Sequence, residues 1–330
     1  MPKFIPVMIL ALSLLSFYAT AQNPAKQPLT LRLLTYNSFL LGINQPTGRL
    51  SNRANAMISQ LDNFDIVALQ ELFDGDQQHQ FSTQLFKRYP HQVSGVPVGS
   101  WFDINGGLAL FSKYALHDIT AVDWQAHDGW DSWSNKGFVY TRIHLVDDVY
   151  LSLLNLHMQA NDKADIRHNQ IKQIKDFMRR NVYDKYPKDL IVYVGDFNIA
   201  GPTIRGNANE EYDTMIETLS RGTLLDSWRQ VNNNTAAKAP CGKEPGFTYF
   251  PQPTNQPGWC PHNTLADNND QNARLDYILV DDHGFKQSGY RLLLNKVNIL
   301  RFQSPPHPNN REYLSDHFGL ATTLTIDLPL

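Results

Sequence analysis

Cysteine is scarce: only Cys241 and Cys260 occur in 330 residues. That excludes a small disulfide-dense scaffold, and without a matching histidine pattern the pair is not a zinc site. A surplus of positive charge is missing too, since 29 Lys and Arg stand against 32 Asp and Glu for a net charge of −3. No global positive field gathers nucleic acid, which argues against a non-specific nuclease while leaving room for a local basic groove. Past the first residues, no apolar run approaches the roughly 20 residues that span a bilayer. Repeats, low-complexity tracts and Gly/Ser/Pro linkers are absent as well, so no domain boundary is visible. What remains is ordinary for a folded chain: 42% hydrophobic and 18% charged residues supply a real core, and the length suits one large α/β domain.

The N-terminus has the three parts of a signal peptide. Lys3 is the positive start, Ile5 to Phe17 is the apolar stretch, and Ala19-Thr20-Ala21 is the small-x-small cleavage pattern. Residues 1–21 are therefore expected to leave, and 22–330 to form a single secreted domain, extracellular or periplasmic. A monomer is the default expectation. Outside the cytoplasm Cys241 and Cys260 are expected to form a disulfide, worth about 3 kcal/mol for a loop of about 20 residues.

Short apolar or alternating runs predict strands at Leu31–Asn37, Asp65–Glu71, Gly107–Ser112, Gly137–Leu145, Tyr150–His157, Leu190–Asp196, Leu275–Val280 and Gly319–Ile326. Val146-Asp147-Asp148 reads as a hairpin turn. Helical spacing joins Leu50, Ala54, Met57, Ile58 and Leu61, then Ile166, Ile171, Ile174, Phe177, Met178 and Val182, then Tyr212, Met215, Ile216 and Leu219. These stripes are core faces. The Asn-, Pro- and Gly-rich stretch Val231–Arg274 reads as a long ordered excursion. Hairpins followed by helix-interrupted strands indicate an α/β sandwich with mixed sheets.

Polar residues sit where the strands end, the usual place for chemistry in α/β folds. Val194-Gly195-Asp196-Phe197-Asn198 delivers a carboxylate and a carboxamide on one face of an extended chain. Ala68-Leu69-Gln70-Glu71 ends a buried strand in a carboxylate suited to a hard cation. Thr35-Tyr36-Asn37 ends another in a carboxamide. His157 closes Asn155-Leu156-His157, and Ser315-Asp316-His317 precedes the last strand. With Asp276 in Leu275-Asp276-Tyr277, two histidines and a carboxylate suit general acid–base work. Taken alone, the Asp196–Asn198 motif reads equally well as a turn closing its strand, and Glu71 and each histidine read better as a solvated strand exit or a structural residue.

In order and kind these motifs resemble the endonuclease/exonuclease/phosphatase superfamily across residues 35 to 317. The resemblance implies a four-layer α/β/β/α sandwich of two packed mixed sheets, the deoxyribonuclease-like fold, with its site at one end of the sheets. It implies Mg²⁺ as cofactor (Mn²⁺ or Co²⁺ in its place), with Glu71 the principal ligand and Asn37 beside it. Asp196 and Asn198 would orient the attacking water and hold the phosphate. His317, positioned by Asp276, would be the general base. His157 would contact the phosphate and protonate the leaving group, giving a bell-shaped pH profile. Asp316 would support the metal site.

Three stretches resemble secreted bacterial sphingomyelinases in particular: Ser134-Asn135-Lys136-Gly137-Phe138-Val139-Tyr140, Glu71-Leu72-Phe73-Asp74, and Asn105-Gly106-Gly107-Leu108-Ala109-Leu110-Phe111-Ser112-Lys113. Asn52-Arg53-Ala54 is similar too. That likeness implies sphingomyelin in a membrane surface as substrate, Lys136 at its phosphate, and peripheral contact with the bilayer. Family members dip an aromatic hairpin into the membrane before the final histidine. Val297–Tyr313 offers only Ile299, Leu300 and Phe302 there, so Trp124, Trp130 and Trp133 are an alternative docking loop, or pack on the sheet. The competing readings are a secreted nuclease, an inositol-lipid phosphatase, or a non-enzymatic binding protein that would have lost a site residue.

Overall fold

The runs read as strands pair into two sheets. The computed structural model describes residues 27–42, 47–94, 107–129, 136–202, 209–232, 235, 237–254, 257–304 and 313–328. The signal segment, Trp130, Trp133 and the stretch 305–312 lie outside the described residues. In chain order the elements are β1 (Leu29–Leu40), α1 (Thr47–Ile58), β2 (Ile66–Leu72), α2 (Gly75–Leu85), β3 (His91–Val93), β4 (Ala109–Ser112), β5 (Ala115–Asp123), β6 (Gly137–Val146) and β7 (Val149–His157). There follow α3 (Ala164–Met178), β8 (Leu190–Gly201), α4 (Glu210–Leu219), β9 (Leu224–Asp226), α5 (Ser227–Asn232), β10 (Ala237–Ala239), β11 (Gly242–Glu244), β12 (Arg274–Asp281), α6 (His283–Gln287), β13 (Arg291–Leu300) and β14 (Gly319–Asp327).

One six-stranded sheet runs β13-β14-β1-β2-β4-β3 and the other β5-β6-β7-β8-β12-β9. Both are mixed, because β1 pairs parallel with β2 and β7 parallel with β8 while their other partners are antiparallel. Strands buried on both faces leave apolar side chains on two sides, and the core divides accordingly. Leu33, Ile66, Leu151, Val192, Ile278 and Leu320 pack between the sheets. Leu50, Ala54 and Met57 of α1, with Phe81 and Leu85 of α2, cover the outer face of the first sheet. Ile171, Ile174 and Met178 of α3, with Tyr212 and Met215 of α4, cover the second. The result is the expected four-layer α/β/β/α sandwich.

One polar bridge crosses the apolar layer between the sheets. Gln70 on β2 donates to Asn155 Oδ1 on β7 at 2.7 Å, and Asn155 Nδ2 donates to the carbonyls of Leu69 and Ala109, both at 3.0 Å. A buried carboxamide is stable only when its donors and acceptor are all met. Asn155→Ala strands three partners and is expected to lower unfolding free energy by about 2–4 kcal/mol. Urea unfolding of the variant beside the parent measures it; a loss below 1 kcal/mol would mean the bridge is not under load.

The bridge also fixes the relative register of the two sheets, and so the distance between residues that end their strands. Asn155 lies two residues before His157, and Gln70 one residue before Glu71. At the far end of the chain Cys241 and Cys260 form the expected disulfide, bracing the β10–β11 ribbon. The hairpin turn predicted at Asp147-Asp148 joins β6 and β7, with Asp147 at φ 48°.

Candidate active site

All the polar strand ends meet at one edge of the sandwich. In register, His157 on β7 lies opposite Asp196 on β8, and Asp196 opposite Asp276 on β12. Three neighbouring strands therefore present an imidazole and two carboxylates abreast. From the other sheet, β1 contributes Asn37 and β2 contributes Glu71. The Asn37 carboxamide spans the gap, with Nδ2 donating to Glu71 Oε1 at 3.1 Å and to Asp196 Oδ2 at 3.0 Å. Its Oδ1 takes the Phe39 amide, so coordinating a cation would require the amide to exchange ends.

The local backbone explains why these residues reach the edge. Gly195 has φ +137°, and a Cβ there would stand 2.0 Å from the Leu156 carbonyl oxygen; only glycine lets β8 approach β7 closely just before Asp196. Glu71 and Asn198 have φ 56° and 52°, a left-handed conformation costly for side chains other than Asn or Asp. At Glu71 that twist comes where β1 and β2 lose register, between Asn37 and Leu40. Strain kept at such a point marks a functional position. Asp196 Oδ1 accepts the Asn198 amide at 2.9 Å, and Asn198 Nδ2 donates to the Met158 carbonyl at 3.1 Å.

His317 sits opposite this row. Its Nδ1 is 2.8 Å from Asp276 Oδ2, and its Nε2 faces Asp196 Oδ2 at 3.8 Å. His157 Nε2 lies 3.5 Å from the same Asp196 oxygen and 3.7 Å from Glu71 Oε1. The Ser315-Asp316-His317 turn is held from three sides. Ser315 Oγ donates to the Asn37 carbonyl at 2.7 Å, Asn263 Nδ2 donates to the Ser315 and Asp316 carbonyls, and Arg53 Nη2 reaches the Leu314 carbonyl at 2.7 Å. Thr248 Oγ1 accepts the Leu275 and Asp276 amides. A cavity of ≈ 350 Å³ joins Glu71, Lys136, His157, Asp196, Asn198, Asp316 and His317. Every candidate except Asn37 and Asp276 lines it, and those two touch residues that do.

The charges are concentrated and buried. Burial pushes the Asp196 carboxyl up to about 6, with Asp276 adding to the shift and His317 opposing it. Asp316 is also pushed up to about 6, again by burial first and by the neighbouring Glu71. Burial raises Glu71 as well, against the pull of Lys136 and the Asn37 hydrogen bond. For His317, burial opposes the charged form, but the carboxylates of Asp276 and Asp196 override it and hold the imidazole well above its ordinary value. His157 goes the other way: burial, then the positive charge of Lys136 and His317, keeps it well below. One neutral and one readily protonated imidazole thus flank the same carboxylate.

Arg53 in the Asn52-Arg53-Ala54 stretch braces the turn before the site, and Asn263 in the Val231–Arg274 excursion clamps its backbone. Neither role was visible as chemistry, because both act on backbone carbonyls; the Asn52-Arg53-Ala54 likeness marked Arg53 without saying what it does, and Asn263 carries no motif. Trp124 is buried, its Nε1 donating to the His157 carbonyl at 2.7 Å, so it packs under the site and does not dock to a bilayer. Ile299 and Phe302 are buried too.

Residues 34–317 match the endonuclease/exonuclease/phosphatase family. Sphingomyelinase C of Bacillus cereus is 30% identical over 223 residues, covering 60% of this chain and 66% of that protein; the chain thus spans just under two thirds of the relative's length. Phospholipase C of Staphylococcus aureus is 27% identical over 254 residues, covering 68% and 74%. Among solved structures, a Staphylococcus aureus beta toxin double mutant with bound magnesium ions superposes with a TM-score of 0.65 at 22% identity, over 89% of this chain and 99% of the other. A match running from the second half of β1 to His317, on a sandwich whose strand ends converge as described, means that the chain belongs to the endonuclease/exonuclease/phosphatase family.

Proposed function

We propose that the protein is a secreted, Mg²⁺-dependent sphingomyelinase, a phosphodiesterase of the phospholipase C type that hydrolyses sphingomyelin to ceramide and phosphocholine. The observation that carries the chemistry is the His317–Asp276 couple facing Asp196 and Glu71 across one small cavity. The lipid half rests on the kinship with sphingomyelinase C and on Lys136, whose buried ammonium lines that cavity. Secretion rests on the N-terminal sequence and is supported by the Cys241–Cys260 disulfide. No helix among the described residues is long and apolar enough to cross a membrane, which suits peripheral contact.

The donor set fits a hard cation. The buried carboxylate of Asp196 and the half-buried ones of Glu71 and Asp316 stand close enough to raise one another's affinity for protons, and oxygen ligands of this kind are what Mg²⁺ selects over softer sites. Glu71 would hold it, with Asn37 adjacent. Bound there, Mg²⁺ neutralises charge on the phosphoryl oxygens. His317 Nε2 takes the proton of the attacking water, while Asp276 fixes the ring tautomer through Nδ1 and stabilises the imidazolium that forms. Asp196 accepts a hydrogen bond from that water and holds its lone pair toward phosphorus. Asn198 and Lys136 position the phosphate. His157, neutral in the free protein, donates a hydrogen bond to a phosphoryl or leaving oxygen, and delivers a proton once the substrate's negative charge favours its protonated form.

Two outcomes follow. Phosphocholine release from sphingomyelin micelles is expected to require Mg²⁺, to vanish in EDTA, and to return on Mg²⁺ addition; release that survives complete chelation would overturn the metal assignment. The base must be neutral to act, and its carboxylate neighbours hold its proton above the ordinary range, so kcat/KM is expected to rise with pH through a limb lying above about 6.5. Asp276→Asn removes one of those carboxylates. The limb should move to lower pH while the plateau falls by about 10²–10³-fold, since the ring also loses its tautomer control. A pH–rate profile of the variant checks it; an unmoved limb would assign the base elsewhere.

A further inference from the structure

The site cavity extends past the catalytic row, and the extension has its own chemistry. Beyond His317 its wall is Tyr249, Asp270, Gln271, Ala273 and Leu275, none of which the hydrolytic step uses. The Tyr249 ring centroid stands 5.2 Å from that of His317, and the Tyr249 hydroxyl donates to Asp270 Oδ2 at 2.7 Å. Asp270 is exposed at the cavity mouth. Tyr249 itself is half-buried and held in place: its amide and carbonyl bond both ways with Ala273, at 3.0 and 2.9 Å. The preceding Thr248 carbonyl accepts the Phe318 amide at 2.7 Å. A fixed aromatic ring and an exposed carboxylate thus stand together beside the base.

We propose that Tyr249 and Asp270 form the subsite for the quaternary ammonium of a phosphocholine headgroup, and so set headgroup specificity. The inference rests on the reading of the site as a sphingomyelinase. A trimethylated ammonium has no N–H to donate, so hydrogen bonds cannot recognise it; an aromatic face and a nearby negative charge can. Choline's two-carbon tether keeps its cation within one small cavity of the phosphorus. With phosphate between Lys136, Asn198 and His317, the unused wall of the same cavity is where the headgroup fits. A diester lacking the cation gains nothing from Tyr249 and Asp270, and a diester carrying an anion there is repelled by Asp270.

The test compares two soluble nitrophenyl diesters, p-nitrophenyl phosphocholine and the choline-free bis(p-nitrophenyl) phosphate, each with Mg²⁺. The readout is the ratio of their kcat/KM values, which a merely structural loss of activity does not move. Tyr249→Leu is expected to lower that ratio about tenfold and Asp270→Asn about three- to tenfold. Tyr249→Phe keeps the ring and should keep the ratio within about threefold. A ratio unchanged in Tyr249→Leu, with both substrates falling alike, would make Tyr249 a support for His317 and overturn the subsite. Failure of the underlying reading shows separately, in the unmodified protein: it would cleave the choline-free diester and not the choline ester, before any variant is made.

Discussion

His317→Ala is expected to lower kcat for phosphodiester hydrolysis by about 10²–10⁴-fold, the range for losing a positioned general base. The expectation follows from geometry. Nδ1 is committed to Asp276 at 2.8 Å, which leaves Nε2 as the atom that faces Asp196 and the cavity. Among the described residues the other imidazole lining the cavity is His157, whose Nδ1 has no carboxylate partner to stabilise an imidazolium and which burial, then the charge of Lys136, makes a weaker base. Removing the ring also leaves the Asp276 and Asp196 carboxylates less compensated, so a modest loss of thermal stability should accompany the loss of rate. Steady-state kinetics with a thermal melt separates the two effects. A folded variant that keeps more than a tenth of kcat would remove His317 from the base role.

Glu71→Gln should be comparably severe for a different reason. The carboxamide keeps the size of the side chain and an oxygen for the Asn37 bond at 3.1 Å, and the left-handed backbone at φ 56° is no harder for Gln than for Glu. What is lost is the charge that draws a divalent cation. Lewis-acid stabilisation is worth several kcal/mol, so activity is expected to drop about a thousandfold at ordinary Mg²⁺, with half-saturation displaced to higher metal concentration. Calorimetric titration of Mg²⁺ into both proteins reads the second effect directly. Equal metal affinity in the variant would place the cation on other ligands.

Much of this was legible in the chain because the site is built on strand ends. A buried strand shows as a run dominated by Val, Ile, Leu and Tyr, and polar residues where it ends are conspicuous: Asn37, Glu71, His157 and Asp196 stood out that way. Gly195 carries a signal that the strand reading passed over: glycine within such a run marks a close backbone approach, here to Leu156. Other elements left no such trace. β5, Ala115–Asp123, is an edge strand with no buried residue, so nothing in its pattern separates it from a loop. α2 carries only Phe81 and Leu85 as buried apolar side chains, too few to show helical spacing among its glutamines. β13 opens Arg291-Leu292-Leu293-Leu294, and three successive leucines erase the alternation by which a half-exposed strand is recognised.

The polar scaffold was hidden for a deeper reason. Asn155 and Gln70 are 85 residues apart, and Asn263 meets Ser315 across 52. The first pair is a product of the two sheets packing together and the second of a long excursion folding back on the turn before β14, and no local spacing encodes either. Tyr249 and Asp270 belong with them. Thr248-Tyr249 was noticeable as part of an irregular excursion, but its position beside His317 depends on the bridge that joins that excursion to the last motif. Trp124, Ile299 and Phe302 proved to be core residues, and the stretch from 305 to 312 lies outside the described structure.

Sphingomyelin hydrolysis with His317 as base is read most directly by phosphocholine released from sphingomyelin vesicles by the purified protein in Mg²⁺, beside His317→Ala and beside plasmid DNA offered to the same preparation. Rapid phosphocholine release, its loss in the variant, and intact DNA are expected. Intact sphingomyelin with nicked or degraded DNA would contradict that expectation, leaving the fold and the catalytic row in place and overturning the lipid assignment.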